Sequence, residues 1–152
     1  MRIAEFLQGQ RVAFEYLPHP LAFTATKRAK YLRLPGRQVA KCVLLRGPDG
    51  FLIAVLPATH QVDTVRLAQA LDGPVRLADD RELGAIFRDC EWGVVPPFAA
   101  LYGLRTILEE TISPDVVLVF EGQTHVEAIR LRCADFERLE RPRRLGFARK
   151  PA

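Results

Sequence analysis

The sequence predicts an α+β fold, and three observations carry that prediction. Gly47-Pro48-Asp49-Gly50 is turn chemistry set between two apolar runs, the mark of an antiparallel hairpin. After Arg105, three strand-like runs follow one another, separated only by Ser113-Pro114-Asp115 and Glu121-Gly122-Gln123. The helical segments are inserted among short strands without the regular strand–helix alternation that a doubly wound parallel sheet requires.

Each element has a local reason. From Arg2 to Gln10, Ile3, Phe6 and Leu7 fall on one helical face, with Gly9 near the exit. Val12, Phe14 and Tyr16 alternate as in a short strand, and Pro18-His19-Pro20 breaks both patterns. Thr24 or Thr26 caps a helix to about Leu34, which Pro35-Gly36 stops. Val39–Arg46 is apolar on both faces except at Lys41, as in a central strand, and Phe51–Leu56 returns as its partner. Val62–Leu71 reads as a helix capped by Asp63 or Thr64, Val75–Leu77 as a short strand, and Asp79-Asp80 as the acidic start of another helix. Gly93-Val94-Val95-Pro96-Pro97-Phe98 is a rigid apolar loop. Strands are expected at Arg105–Glu109, Val116–Phe120 and Thr124–Leu131, then a helical turn or two at Asp135–Leu139. The expected organisation is one domain over residues 1–140 and a frayed basic tail over 141–152.

The bulk numbers narrow the function classes. A chain of 152 residues, 49% apolar and 26% charged, has ordinary globular composition, and a net charge of +4 is compatible with a polyanionic partner. Cys42, Cys90 and Cys133 form no disulfide framework or metal-ligand spacing, so no metal is expected. The N-terminus does not read as a signal peptide and no run approaches a membrane span, so the expected setting is cytoplasmic, with no membrane partner. No GxGxxG or P-loop occurs, and no cofactor is expected. Ser113, the sole serine, lies in a Ser-Pro turn, which disfavours a serine nucleophile.

Lys41 is the sharpest anomaly. It shares a strand face with Val39, Val43 and Leu45, so it either snorkels from a strand end or points into a pocket where an anion offsets its burial. Cys42 faces the other way, which disfavours a Cys–Lys dyad. His19, held between two prolines, is a substrate donor or a surface turn residue. His125, on a strand face with Glu127, Ile129 and Leu131, marks a sheet rim or a half-exposed edge. His60, in a loop, reads as structural. Gly93 and Pro96-Pro97 make a wall against a small ligand or an ordinary corner.

Several motifs fall into one order. They are His19-Pro20-Leu21-Ala22-Phe23-Thr24, Gly36 to Leu45 with Val39-Ala40-Lys41, Ala54-Val55-Leu56-Pro57-Ala58, and Asp89 to Phe98 with its Gly-x-x-Pro. Phe120-Glu121-Gly122-Gln123-Thr124-His125 and Ala134-Asp135-Phe136 complete the series. Together, over roughly residues 3–140, this order resembles the YbaK/prolyl-tRNA-synthetase-associated domain family.

The resemblance implies an α+β domain with a mixed, largely antiparallel sheet curled toward a barrel. It implies a trans-editing deacylase that cleaves the ester of a mischarged aminoacyl-tRNA, commonly tRNA for proline with a small amino acid. Lys41, Gly93 and His125 match its catalytic positions. His19, Thr24, Val95, Pro96, Phe98 and Gly122 are the expected substrate-binding residues. The implied partners are the tRNA acceptor end and an aminoacyl-tRNA synthetase. Two positions depart from the family pattern. Ala99 stands where many relatives have glycine, and Leu108-Glu109-Glu110-Thr111 lies where relatives often carry an aspartate. These departures favour the alternative, a non-catalytic module that binds a ligand or tRNA with the same fold.

Overall fold

Local sequence signals set most element ends. The computed structural model describes residues 2–151. Helix α1 (Arg2–Gly9) buries Ile3 and Leu7, one turn apart, and Arg11 in the left-handed region turns the chain away. Strand β1 (Glu15–Pro18) therefore starts later than the alternation from Val12 suggests. In α2 (Ala25–Leu32), the Thr24 hydroxyl caps the helix by accepting from the Lys27 N–H at 3.1 Å.

Strands β2 (Ala40–Gly47) and β3 (Gly50–Pro57) form the expected hairpin, paired from Ala40↔Pro57 to Gly47↔Gly50. Strand β4 (Gln61–Val62) takes the first residue of the expected third helix, and Asp63 then caps α3 (Thr64–Ala70). After β5 (Arg76–Leu77), Asp79 and Glu82 make a reciprocal capping box on α4 (Asp80–Ile86). The rest of the chain forms β6 (Arg105–Glu109), β7 (Val117–Glu121), β8 (Glu127–Arg132), α5 (Cys133–Glu140), β9 (Arg143–Leu145) and β10 (Ala148–Arg149). Strand β8 starts at Glu127, not Thr124, because the Gly122 N–H donates to the Glu127 carbonyl and folds the residues between into a turn. His125 thus sits in that turn, off the strand face assigned to it from the sequence.

The fold is α+β with a mixed arrangement of strands, antiparallel in five of seven pairings among the described residues. The strands sort into ladders β5-β2-β3-β6-β9, β1-β8-β7 and β10-β4, and a parallel bridge between Val39 and Val119 links the two larger ones. The run after Arg105 is not the simple meander its turns suggest. Strand β6 pairs parallel with β3, whereas β7 and β8 form the other ladder with β1.

The hairpin separates two cores. Ala40, Leu44, Ile53 and Val55 pack with Phe98, Phe120 and Phe136 on one face. Leu45, Ala54 and Leu56 pack with Leu67, Ile107 and Phe147 on the other.

Phe147 lies in the segment expected to fray, and this expectation is corrected. Strand β9 extends the large ladder beside β6, and β10 pairs with β4. A buried carboxylate fastens the segment: Glu109 Oε1 accepts from the N–H groups of Phe147 at 2.8 Å and Ala148 at 2.9 Å. Its Oε2 accepts from Thr111 N–H at 2.9 Å. Burial disfavours the charge on Glu109, but the donors of Ala148, Thr111 and Phe147 outweigh it and hold the carboxyl below the usual range. Phe147→Ala is expected to cost about 3–5 kcal/mol in urea unfolding, as for other fully buried phenylalanines; a change under about 1 kcal/mol, the size of a surface substitution, would show that the segment is not part of the core.

Candidate functional site

A cavity of about 420 Å³ opens where β2 lacks a neighbour. On one side β2 is fully paired with β3; on the other, β5 meets only Leu45 and Arg46. The Ala78 N–H donates to the Leu44 carbonyl at 3.0 Å. Alternate residues of an antiparallel strand present their backbone groups to the same side. Cys42 therefore aims its N–H and C=O at the cavity. Phe23, Thr24 and Arg28 come from the α2 end, Leu77, Asp80 and Leu83 from the α4 side, and Gly93, Val95 and Glu121 complete the wall.

Lys41 lines this cavity together with Gly93. It is half-buried, and desolvation pulls its ammonium below the ordinary lysine range. Its Nζ donates to the backbone carbonyl of His60, a residue the sequence offered only as structural. The Cys42 side chain packs against the larger core, and burial pushes its thiol far above the usual thiol range, so it is no thiolate nucleophile.

Gly93 adopts φ +87°, a conformation L side chains rarely adopt, and this turns its backbone toward the cavity. His125 lies directly behind it: a β-carbon on Gly93 would stand 3.8 Å from the imidazole. The imidazole is buried and outside the cavity wall. Its Nε2 donates to the Trp92 carbonyl at 2.7 Å, and its ring meets Phe23 edge-on at 4.8 Å. Its own backbone carbonyl accepts from Ala22 N–H at 3.0 Å. His125 is thus the junction of three loops rather than a group at the cavity surface.

Other predicted site residues divide. Thr24 and Val95 line the cavity. His19, Pro96, Phe98 and Gly122 do not. His19 is buried against its own loop, with Nδ1 donating to the Pro20 carbonyl at 2.7 Å. Pro96 is buried behind the wall, and Gly122 closes the turn before β8. Phe98 points into the larger core against Phe6 and Phe136, so it is not the pocket wall expected from the loop sequence.

The sequence reading missed a buried charged pair in the cavity wall. Arg28, only 2% exposed, bonds to the Glu121 carboxylate, and His125 Nδ1 lies 3.9 Å from the same carboxylate. Burial pushes the Glu121 carboxyl up to about 7, against the pull of Arg28 and His125. Arg28 sits four residues after the helix cap at Thr24, on the α2 face that buries Ala25 and Ala29. That periodicity was the available signal.

The profile of the aminoacyl-tRNA editing domain family matches residues 19–139, which include the cavity. The chain belongs to the aminoacyl-tRNA editing domain family. No curated protein matches it. Among solved structures, it is similar to hypothetical protein APE2540, with TM-score 0.87 at 14% identity over 98% of this chain and 100% of that one. A candidate trans-editing enzyme for prolyl tRNA synthetase gives TM-score 0.79 at 20% identity over 99% and 96%. A candidate signal transduction protein from Marinobacter aquaeolei VT8 gives 0.74 at 16% over 97% of this chain but 30% of that one. At these identities the likeness is one of fold.

The buried pair makes a stability prediction. Arg28→Met leaves Glu121 without its partner and is expected to cost about 3–5 kcal/mol by urea denaturation. The double variant Arg28→Met/Glu121→Gln should recover most of that loss, because both desolvated charges are gone. Additive losses would show that the two groups do not act as a pair.

Proposed function

We propose that this editing-family domain hydrolyses the ester bond of mischarged aminoacyl-tRNA, with tRNA for proline carrying a small amino acid as the expected substrate. The observation that carries the reading is the cavity itself, which brings Lys41, the glycine of the Gly-x-x-Pro loop and an unpaired strand edge to one place. An aminoacyl ester on a ribose is already activated, so positioning and charge stabilisation suffice and no protein nucleophile is needed.

In this reading Lys41 holds the phosphate or ribose oxygens of the acceptor end as a point charge. An incoming anion also compensates the desolvation that now disfavours its ammonium. The backbone N–H groups of Gly93 and Cys42 face the ester carbonyl, whose oxygen gains negative charge as water attacks. The neighbouring ribose hydroxyl assists that water. Val95 limits the side chain admitted; one methylene is worth about 1–3 kcal/mol, so near isosteres are poorly separated. His125 acts as a positioning residue that fixes Gly93 from behind. The tRNA acceptor end is the expected partner, and a prolyl-tRNA synthetase the expected source of the mischarged substrate.

One observation favours the alternative of a non-catalytic binding module: the Lys41 ammonium is already engaged by the His60 carbonyl. A deacylation panel with Ala-, Ser- and Cys-charged tRNA distinguishes the two. Turnover is expected, and Lys41→Ala should lower kcat/KM by about 10–100-fold, the worth of one charged hydrogen bond. Saturable tRNA binding without release of any of these amino acids would establish the binding module instead. Gly93→Ala should lower kcat more than it weakens binding, because the strained φ displaces the loop amide.

A further inference from the structure

Two large aromatic side chains flank the cavity and remain in water. Phe23 is 69% exposed and lines the cavity; Trp92, adjoining Gly93, is 62% exposed. Neither is loosely held. The Phe23 ring rests edge-on against the buried His125 imidazole. The Trp92 carbonyl accepts from that same imidazole, which anchors the residue's backbone. The indole itself lies on α4 at Gly84, where a β-carbon would stand only 2.4 Å from indole Cζ3. A glycine at this position lets the ring lie against the helix backbone. A fixed and exposed aromatic surface forgoes burial, yet it is prepared for contact with another flat, apolar surface.

Trp92 borders a smaller hollow of about 160 Å³ that shares Leu83 and Gly93 with the main cavity. Arg88 and Glu91 also line this hollow. No carboxylate lies within ion-pair distance of Arg88 among the described residues.

We infer that Phe23 and Trp92 are stacking platforms for the unpaired bases next to the aminoacylated nucleotide, with Arg88 placed for an adjoining phosphate. This rests on the deacylase reading for the identity of the strand. It commits to single-stranded RNA because the surface is continuous with the cavity assigned to the aminoacyl end. Single-stranded bases are recognised by stacking on aromatic rings, with a cation close by for the backbone. Glu91 beside Arg88 limits the positive charge of this wall, which fits a short terminal stretch rather than a long groove.

Trp92 is the sole tryptophan, so its fluorescence reports the contact directly. The full-length protein is titrated with the trinucleotide CCA, the common tRNA terminus, and with a ribose-phosphate trimer lacking bases. Saturable quenching by CCA and none by the abasic trimer is expected. With labelled CCA read by anisotropy, Trp92→Ala should bind about 5- to 100-fold more weakly, and Trp92→Phe should recover much of the affinity. Gly84→Ala keeps the indole but displaces it, and should weaken binding as well. Equal quenching by the abasic trimer, or unchanged CCA affinity in Trp92→Ala, overturns the inference. So does sedimentation showing a dimer that Trp92→Ala dissociates, since the surface would then be a self-interface. CCA binding needs no turnover. Base-dependent binding by a protein that hydrolyses no mischarged tRNA sinks the deacylase reading alone. Hydrolysis with unchanged KM in Trp92→Ala sinks this inference alone.

Discussion

Strand β2 is paired along its whole length with β3 and over only two residues with β5. The architecture of the site depends on that asymmetry. A strand in the middle of a domain has backbone donors and acceptors on both edges, and buried ones need partners. Here the neighbour ends at Leu45, and the groups of Cys42 are left facing a cavity instead of another strand. Side chains could shift with substitution, but this edge is set by the hairpin register. Lys41 enters the candidate site as one of the residues of this edge.

The loops around the edge are held by buried polar groups rather than by apolar packing alone. Glu91 N–H donates to the Gln123 carbonyl at 2.8 Å, and Gln123 Nε2 reaches the Asp89 carbonyl at 3.1 Å. His125 adds the bond to Trp92, and His19 N–H donates to the Val126 carbonyl at 2.9 Å. The early His-Pro loop, the Gly-x-x-Pro loop and the Gly-x-x-His turn are thereby one unit. The Gly-x-x-His turn is the hub, because it supplies hydrogen-bond partners to both of the other loops. Arg28 and Glu121 sit beneath this unit, where a mismatched charge is expensive and a matched one fixes geometry.

Elements with local causes were legible in the sequence. The hairpin at Pro48-Asp49 and the caps at Thr24, Asp63 and Asp79 follow from turn and capping chemistry that operates within a few residues. What distant residues decide was not legible. The parallel pairing of β6 with β3 is unmarked by any turn. The C-terminal segment looks like a solvated tail because its arginines outnumber Leu145, Phe147 and Ala148, which carry the apolar contacts. At the site, Lys41 was visible as a charge among apolar neighbours. Phe98 was misplaced because the loop brings Val95 to the cavity and, three residues later, turns Phe98 into the core. Arg28 was missed because an arginine on a short helix ordinarily faces water, and Glu121 because a turn acid does the same.

The docking of the last strands sets an order on biosynthesis. Glu109 is synthesised before either of its distant donors, since Phe147 and Ala148 lie 38 and 39 residues further along the chain. Until then the second core lacks its aromatic and β6 lacks its outer neighbour. A nascent chain stalled short of this segment would expose both an apolar face and an unpaired strand edge, the two features that invite aggregation. The stretch from Arg143 to Arg149 thus protects the domain from association as well as completing its core.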